Sequence, residues 1–269
     1  MSDSKQTWEG AVAWLKAQPG QMDLVRACYY DDPLLEAAKR YWQSSEWAAV
    51  REYLPGEKGR ALDLGAGRGI ASFALAMDGW EVTALEPDPS MLVGSGAIRA
   101  LASEANLQIR VEENWGEYLP FEDETFDLVH ARQVLHHARD LAQLCREAVR
   151  VLKKGGVLVA TREHVISRPE ELAKFQAAHP LHQLYGGENA YRAAEYITAL
   201  ESAGLELTAV LNPMQSDINL FPQTRSGIRR AIARRLRLPA AFIPDWALDW
   251  IGRLSRAPGR LYTFVGRKA

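Results

Sequence analysis

Residues 61–70 read Ala-Leu-Asp-Leu-Gly-Ala-Gly-Arg-Gly-Ile, and no other stretch of the 269-residue chain restricts its fold as strongly. A short apolar run carrying one aspartate ends in three glycines at alternate positions, Gly65, Gly67 and Gly69, and an apolar run then continues to Met77. Glycine costs conformational entropy wherever it is held fixed, so it is kept where the backbone turns sharply or a ligand approaches the main chain closely. A strand-to-helix turn of this kind presents free N–H groups at a helix start. In open α/β sheets such turns lie at the carboxyl ends of the strands, near the switch in strand order, where ligands bind.

The flanking pattern agrees with that reading. Residues 1–56 read as helical, with Trp8, Val12 and Leu15 and then Leu34, Ala38, Trp42 and Trp47 at near-helical spacing, punctuated by Pro19-Gly20 and Pro55-Gly56. Strands and helices then alternate. Strands are expected at 61–64, 81–85, 107–112, 126–130, 157–160, 205–211 and 261–265, and helices at 70–77, 89–105, 140–152 and 190–203. Lys153-Lys154-Gly155-Gly156 reads as a helix stop, and the last strand reads as an edge hairpin with its predecessor. Alternation of this kind predicts a doubly wound, mostly parallel sheet with helices on both faces. The expected divisions are a helical lid over 1–56, a ligand-binding core over 57–212, a helical insertion over 213–259 and a last core strand over 260–269.

Composition excludes several classes. A hydrophobic fraction of 47% and a charged fraction of 25% describe an ordinary globular chain, and a net charge of −2 selects no nucleic-acid partner. Two cysteines, Cys28 and Cys145, make neither a disulfide framework nor a thiol metal site. The N-terminal segment has no apolar signal-like run and no long apolar span occurs, so a cytoplasmic location is expected.

What the loop binds follows from its neighbours. Dinucleotide sites prefer G-x-G-x-x-G, whereas this loop is the tighter G-x-G-x-G. Asp63 in the preceding strand disfavours a pyrophosphate and suits an ammonium-bearing ligand. Glu86 ends the second strand, where an acid can grip both ribose hydroxyls. At this point residues 58–163 resemble the class I S-adenosylmethionine-dependent methyltransferases of the ubiquinone/menaquinone type. The resemblance rests on "LDLGAGRG", "VTALEPDPSML", "LPFEDETFDLVHARQVLHH" and "EAVRVLKKGGVLVAT". It implies a Rossmann-like seven-stranded sheet and S-adenosylmethionine as cofactor. By resemblance, Asp63 and the backbone of Gly65, Ala66, Gly67 and Gly69 hold the methionine moiety, Glu86 takes the ribose, and Pro87 and Met91 pack on the adenine. Ala131 and Arg132 border the cofactor. Where relatives carry an aspartate for the adenine amino group, this chain has Trp115, followed by Gly116, whose N–H can reach a ring nitrogen. The indole either covers the adenine or packs in the core.

Methyl transfer from a sulfonium asks the protein to position the acceptor and shield the site. An oxygen acceptor usually needs a base, most often histidine. His164, expected just past the fifth strand with Glu163 as its orienting partner, is the favoured candidate, and His136 and His137 after the fourth strand are the others. Tyr185, Glu188, Asn189 and Tyr191 stand where acceptor-binding elements are common, Asn189 serving equally as a helix N-cap, and Tyr29-Tyr30 could close the pocket from the N-terminal side. No metal-ligand spacing is present, so no metal is expected. These readings lead to an enzyme methylating a small polar or glycan-precursor acceptor on oxygen. The alternatives are C-methylation of a quinone- or polyketide-like ring, an NAD-linked oxidoreductase, or a non-catalytic S-adenosylmethionine-binding module.

The insertion over 213–259 carries eight arginines (225, 229, 230, 234, 235, 237, 253 and 256) against Asp217, Asp245 and Asp249. Ile228, Ile232 and Leu236 predict one apolar helix stripe, and Phe242, Ile243, Trp246, Trp250, Ile251 and Leu254 a second apolar patch. A cover for the acceptor pocket, or an anionic-membrane contact through 225–237, is expected from this pairing of charge and apolar surface, while nucleic acid is not.

Overall fold

The computed structural model describes residues 6–269; the first five residues of the expected 1–56 lid lie outside the described residues. Eight strands form one sheet: β1 (Arg60–Leu64), β2 (Glu81–Leu85), β3 (Ile109–Glu112), β4 (Phe126–Arg132), β5 (Leu152–Ile166), the two-residue β6 (Tyr191–Arg192), β7 (Leu205–Leu211) and β8 (Arg260–Lys268). The order across the sheet is β3-β2-β1-β4-β5-β8-β7, with β6 paired to the end of β5. All pairings from β3 to β5 are parallel, and β8 runs antiparallel to both β5 and β7. The strand order reverses between β1 and β4, so the crevice at their carboxyl ends is the switch point of the sheet.

Alternation along the strands explains the two cores. Leu62 and Leu64 face the helices Leu141–Arg150 and Ala193–Ser202 through Leu144, Ala148, Tyr196 and Leu200. Ala61, Val82, Leu128 and Val159 face the other way, onto the helix Ile70–Met77 and the N-terminal aromatic residues Tyr29, Tyr41 and Trp47. A sheet covered on both faces needs near-continuous apolar strands, which β1 and β2 have. The N-terminal helices Trp8–Lys16, Met22–Ala27, Leu34–Trp42 and Ser45–Arg51 are tied down by charge as well as packing. Asp78 at the end of the helix Ile70–Met77 accepts from Trp42 Nε1, Trp47 Nε1 and the Arg51 guanidinium at 2.6–2.9 Å.

Several expected elements are corrected. Lys153–Gly156 do not stop a helix; the helix ends at Arg150 and these residues begin β5, with Gly155 turning at φ 73°. The helix expected at 89–105 starts only at Ser95, because the Ser90 hydroxyl accepts from the N–H groups of Leu92 and Val93 and holds a separate turn. The helix expected at 190–203 begins at Ala193, capped by Arg192 with Glu195 and not by Asn189. β8 is no edge strand: Phe264 and Val265 are buried on opposite faces, so it fits between β5 and β7 and leaves β7 at the edge.

Between β7 and β8 lie the helices Asp217–Leu220, Arg225–Leu236 and Asp245–Leu254. The first is buried against the sheet, with Phe221 stacked on Tyr29 at 5.4 Å. The other two share a small core of Ala233, Ile243 and Leu248 with Ile228 and Ile232 at its margin, whereas Leu236, at the end of the expected stripe, is exposed.

Candidate active site

A cleft of about 410 Å³ opens at the carboxyl ends of β1, β2, β4 and β5. Its floor is the glycine loop. Gly65, Gly67 and Gly69 have φ of 64°, 54° and 82°, in the left-handed region that side chains rarely adopt. A Cβ on Gly65 would meet a Val134 methyl at 2.8 Å, so the turn leaves no room for one. Gly65, Ala66 and Gly67 line the cleft, whereas Gly69 does not and serves as N-cap of the helix Ile70–Met77.

Two carboxylates stand at this floor. Glu86 accepts from Gly67 N at 2.8 Å and Asp88 N at 3.0 Å, which fixes the carboxyl at the end of β2. Burial drives its pKa up to about 7, against the pull of those two N–H bonds. Asp63 is buried at the end of β1, where its oxygens meet Ser72 Oγ at 2.5 Å and His130 Nδ1 at 3.1 Å. Asp63, Glu86 and Pro87 all line the cleft.

Other expected cofactor residues divide. Trp115 and Gly116 line the cleft; the indole is half exposed under the Arg139 guanidinium at 4.6 Å, so the core reading of Trp115 is overturned. Met91 is 70% exposed and does not line the cleft, because the Ser90 turn directs it outward; Val93 is the lining residue of that turn. Ala131 is fully buried in the β4 core and also stays out of the lining. Arg132 reaches the cleft, but its guanidinium is held by the buried carboxylate of Glu46 at 2.7 and 3.2 Å.

On the β4–β5 side the lining changes to histidine. A bulge in β5, with Arg162 at φ 60°, shifts the register against β8 between Ala160 and Glu163. His164 therefore lies within the long strand rather than after it. Glu163 does not orient His164 as expected. Its fully buried carboxylate accepts from the backbone N–H groups of Val134, Leu135 and His136 at 3.0–3.1 Å and meets His136 Nδ1 at 2.7 Å. Since that carboxylate only accepts, His136 donates from Nδ1 and keeps a lone pair on Nε2. His164 Nδ1 donates to the Gly259 carbonyl at 2.8 Å, which leaves its Nε2 free too. Burial pushes the pKa of both imidazoles down, and neighbouring histidines push that of His136 further. His137 is exposed, with Nδ1 on the Gly187 carbonyl at 3.2 Å.

The segment after β5 completes this side. Glu188 is buried, receives the Tyr185 hydroxyl at 2.7 Å and has Oε2 3.7 Å from His136 Nε2. Tyr185 and Glu188 line the cleft; Asn189 and Tyr191 do not, and the Tyr191 hydroxyl donates to Ala138 O beside the helical core. Donor atoms of His136, His164 and Glu188 lie within 4.8 Å of one another, a metal-capable set that local spacing did not reveal. Opposite stand Trp8, Tyr29 and Tyr30, with Trp8 edge-on to Tyr30 at 6.0 Å and to Tyr185 at 4.6 Å. Sequence reading missed Trp8 and also Arg68, whose buried guanidinium donates from the glycine loop to the carbonyls of Tyr29 and Asp31 and to Asp32. The only signal for Arg68 was its place inside the loop. No residue of 213–259 lines the cleft, so the insertion is not the expected pocket cover.

Comparison with known proteins places this geometry. A family profile described as a methyltransferase domain matches residues 62–160. The chain is 33% identical over 172 residues to a ubiquinone biosynthesis O-methyltransferase of Methylobacterium nodulans, covering 61% of this chain and 68% of that one. Across three such enzymes the chain spans 58–68% of their length. Its fold matches a geranyl diphosphate C-methyltransferase of Streptomyces coelicolor with a TM-score of 0.61 at 15% identity, covering 90% and 88% of the two chains. It also matches the [4+2]-cyclase SpnF with a TM-score of 0.58 at 22% identity, covering 86% and 80%. The cofactor implied is S-adenosylmethionine. The chain belongs to the class I S-adenosylmethionine-dependent methyltransferases.

Proposed function

We propose that this methyltransferase transfers its methyl group to a hydroxyl oxygen on the ring of a small phenolic acceptor. The observation that carries the reading is the convergence of His136, His164 and Glu188 at the β4–β5 side of the cofactor cleft. Such a set of lone pairs suits a hydroxyl, because its proton must leave as the oxygen attacks. Trp8, Tyr30 and Tyr185 supply aromatic walls with the edge and face geometry that suits a planar ring. The relatives named for ubiquinone biosynthesis O-methylation support oxygen as the acceptor atom. The small polar or glycan-precursor acceptor expected from sequence shares the hydroxyl, but the aromatic walls favour the phenol.

In this reading Glu86 takes the ribose hydroxyls, and the glycine loop and Asp63 hold the amino-acid end. The sulfonium then faces the histidine side. The protein holds the acceptor oxygen in line with the methyl carbon and the sulfur, and keeps bulk water out with the N-terminal helices.

Two measurements test it. Glu86 must be ionised to accept both ribose hydroxyls, and its pKa in the free protein is about 7. S-adenosylhomocysteine affinity measured by calorimetry is therefore expected to be constant above that pH and to weaken about tenfold per pH unit below it. Glu86→Gln should bind more weakly than the parent above that pH and lose the pH dependence. A flat profile in the parent protein would remove Glu86 from the ribose site.

The second test offers radiolabelled S-adenosylmethionine with catechols, hydroxybenzoates, sugar nucleotides and simple amines. Label should pass to a phenolic oxygen, and His136→Gln should cut kcat by about 100-fold or more with S-adenosylhomocysteine affinity kept within about twofold. Label on ring carbon, sugar or amine, or an unimpaired His136→Gln variant, would overturn the reading.

A further inference from the structure

We infer that His136, His164 and Glu188 form a binding site for one divalent transition-metal ion, with Zn2+ the best match. This inference rests on the reading that the acceptor hydroxyl docks at the same place. Two imidazoles and one carboxylate are a ligand set used by catalytic zinc sites, which leave a further position open for substrate oxygen.

What distinguishes this set from a chance cluster is the hydrogen bond behind each ligand. His136 Nδ1 is fixed on the Glu163 carboxylate at 2.7 Å, His164 Nδ1 on the Gly259 carbonyl at 2.8 Å, and Glu188 Oε1 on the Tyr185 hydroxyl at 2.7 Å. Each of these orients the remaining donor atom, as the partners behind metal ligands do. All three ligand residues are buried, none more than 8% exposed, yet they line the cleft. His136 Nε2 and Glu188 Oε2 are already 3.7 Å apart, close to the edge of about 3.3 Å for a tetrahedron with zinc–ligand bonds near 2.0–2.1 Å. The full set spans up to 4.8 Å, so a bound ion would draw His164 inward by up to about 1.5 Å. His179 adds a buried Nδ1 without a hydrogen-bond partner, 3.7 Å from Glu188 Oε1.

With a phenolic oxygen in the open position, the ion would make its O–H acidic, as zinc does for bound water. The proton leaves to solvent. An oxygen lone pair forms the new bond to the methyl carbon as the carbon–sulfur bond breaks, its electron pair returning to sulfur. The products are the methyl ether and neutral S-adenosylhomocysteine.

The test uses the whole purified chain after chelator treatment and dialysis, with Zn2+ and Co2+ as probes and no acceptor. One equivalent of zinc should bind, and cobalt should give the visible absorption of a low-symmetry site. His164→Ala should weaken zinc binding by 100-fold or more, and the milder Tyr185→Phe by about tenfold, both with S-adenosylhomocysteine affinity retained as the check on folding. Absence of stoichiometric metal, or unchanged zinc affinity in both variants, would overturn the site. Phenol methylation persisting in metal-free protein would overturn the metal's role and leave the acceptor reading standing. Stoichiometric zinc with no phenol methylated would do the reverse.

A separate observation concerns the insertion. We propose that the helices Arg225–Leu236 and Asp245–Leu254 dock on an anionic lipid surface. On the second helix, Trp246, Trp250 and Leu254 recur every four residues and are 66%, 57% and 62% exposed, and Phe242 before it is 70% exposed. The buried side of that helix, Leu248 and Gly252, packs inward, and Asp245 and Asp249 are engaged by Arg225 and Arg229. Among the described residues no ion pair involves Arg230, Arg234, Arg235, Arg237, Arg253 or Arg256. Arg230 and Arg234 line a groove of about 460 Å³ with Ala233, Leu238 and Ala240. Arginines without ion pairs on these two helices, together with the exposed tryptophans of the second, complement phosphate headgroups above an apolar layer. None of these residues lines the methyl-transfer cleft, and no helix among the described residues is long and apolar enough to cross a membrane.

Sedimentation with vesicles of phosphatidylcholine containing about 30% phosphatidylglycerol should pull down the chain, and pure phosphatidylcholine should not. Raising salt to about 0.5 M, Arg230→Glu with Arg234→Glu, or Trp246→Ala with Trp250→Ala should each reduce binding about fivefold or more. Equal binding to both vesicle types, no binding to either, or a dimer in solution lost on Trp246→Ala would overturn the proposal, the last in favour of a second copy on this face.

Discussion

The carboxylate of Glu163 is the interaction on which the histidine-lined side of the cleft depends. It has no contact with water and accepts from three consecutive backbone N–H groups and one imidazole. Those N–H groups open the short turn after β4, so the chain leaving β4 is anchored to β5 at the point where the cleft begins. Removing the carboxylate would leave several buried donors without partners, each costing about 1–3 kcal/mol. The same group fixes the tautomer of His136. The β5 bulge is what brings Glu163 there: three successive residues, Arg162, Glu163 and His164, reach three different buried partners.

The cofactor side is organised by a different constraint, the left-handed backbone of the glycine loop. Arg68 projects from that loop and clamps the carbonyls of Tyr29 and Asp31. The N-terminal helices are thus tied to the glycine loop at the floor of the cleft, which Tyr29 and Tyr30 also line. Buried Glu46 repeats the arrangement from the other side, bridging the N-terminal helices to Arg132 of β4, with Arg162 of β5 3.8 Å away. An enclosed site with fixed walls suits a reaction in which the cofactor carries its own leaving group and the protein supplies position.

Much of this was legible in the sequence, and the reason is local. β2, β7 and the helix Ile70–Met77 occupy the ranges their apolar runs predict, because burial on a covered sheet leaves little choice of residue. The placement of Gly65, Gly67, Asp63 and Glu86 at the floor of the cleft was legible because it depends on backbone shape and on the ends of two adjacent strands. The errors arose where long-range packing overrode local signals. Lys153–Gly156 look like a helix stop, yet the chain runs on through them as part of β5, where its register against β4 shifts. β8 is terminal in sequence but lies inside the sheet, between β5 and β7. The cluster of His136, His164 and Glu188 was illegible for the same reason: its members sit on three separate segments and meet only through the pairing of β4 with β5 and the return of the chain past β5. Met91 matched the family motif in sequence and was still turned outward by a single serine hydroxyl.

In the proposed reading one cleft joins a ribose-binding carboxylate at the end of β2 to an acceptor-activating cluster drawn from the turn after β4, from β5 and from the segment before β6. A crystal structure with S-adenosylhomocysteine bound tests it most directly. The account predicts both ribose hydroxyls on Glu86, the amino-acid end along Gly65–Gly67 and Asp63, and the sulfur facing the space bounded by His136, His164 and Glu188. A ligand whose sulfur points away from those three residues, or whose ribose lies elsewhere than Glu86, would contradict it.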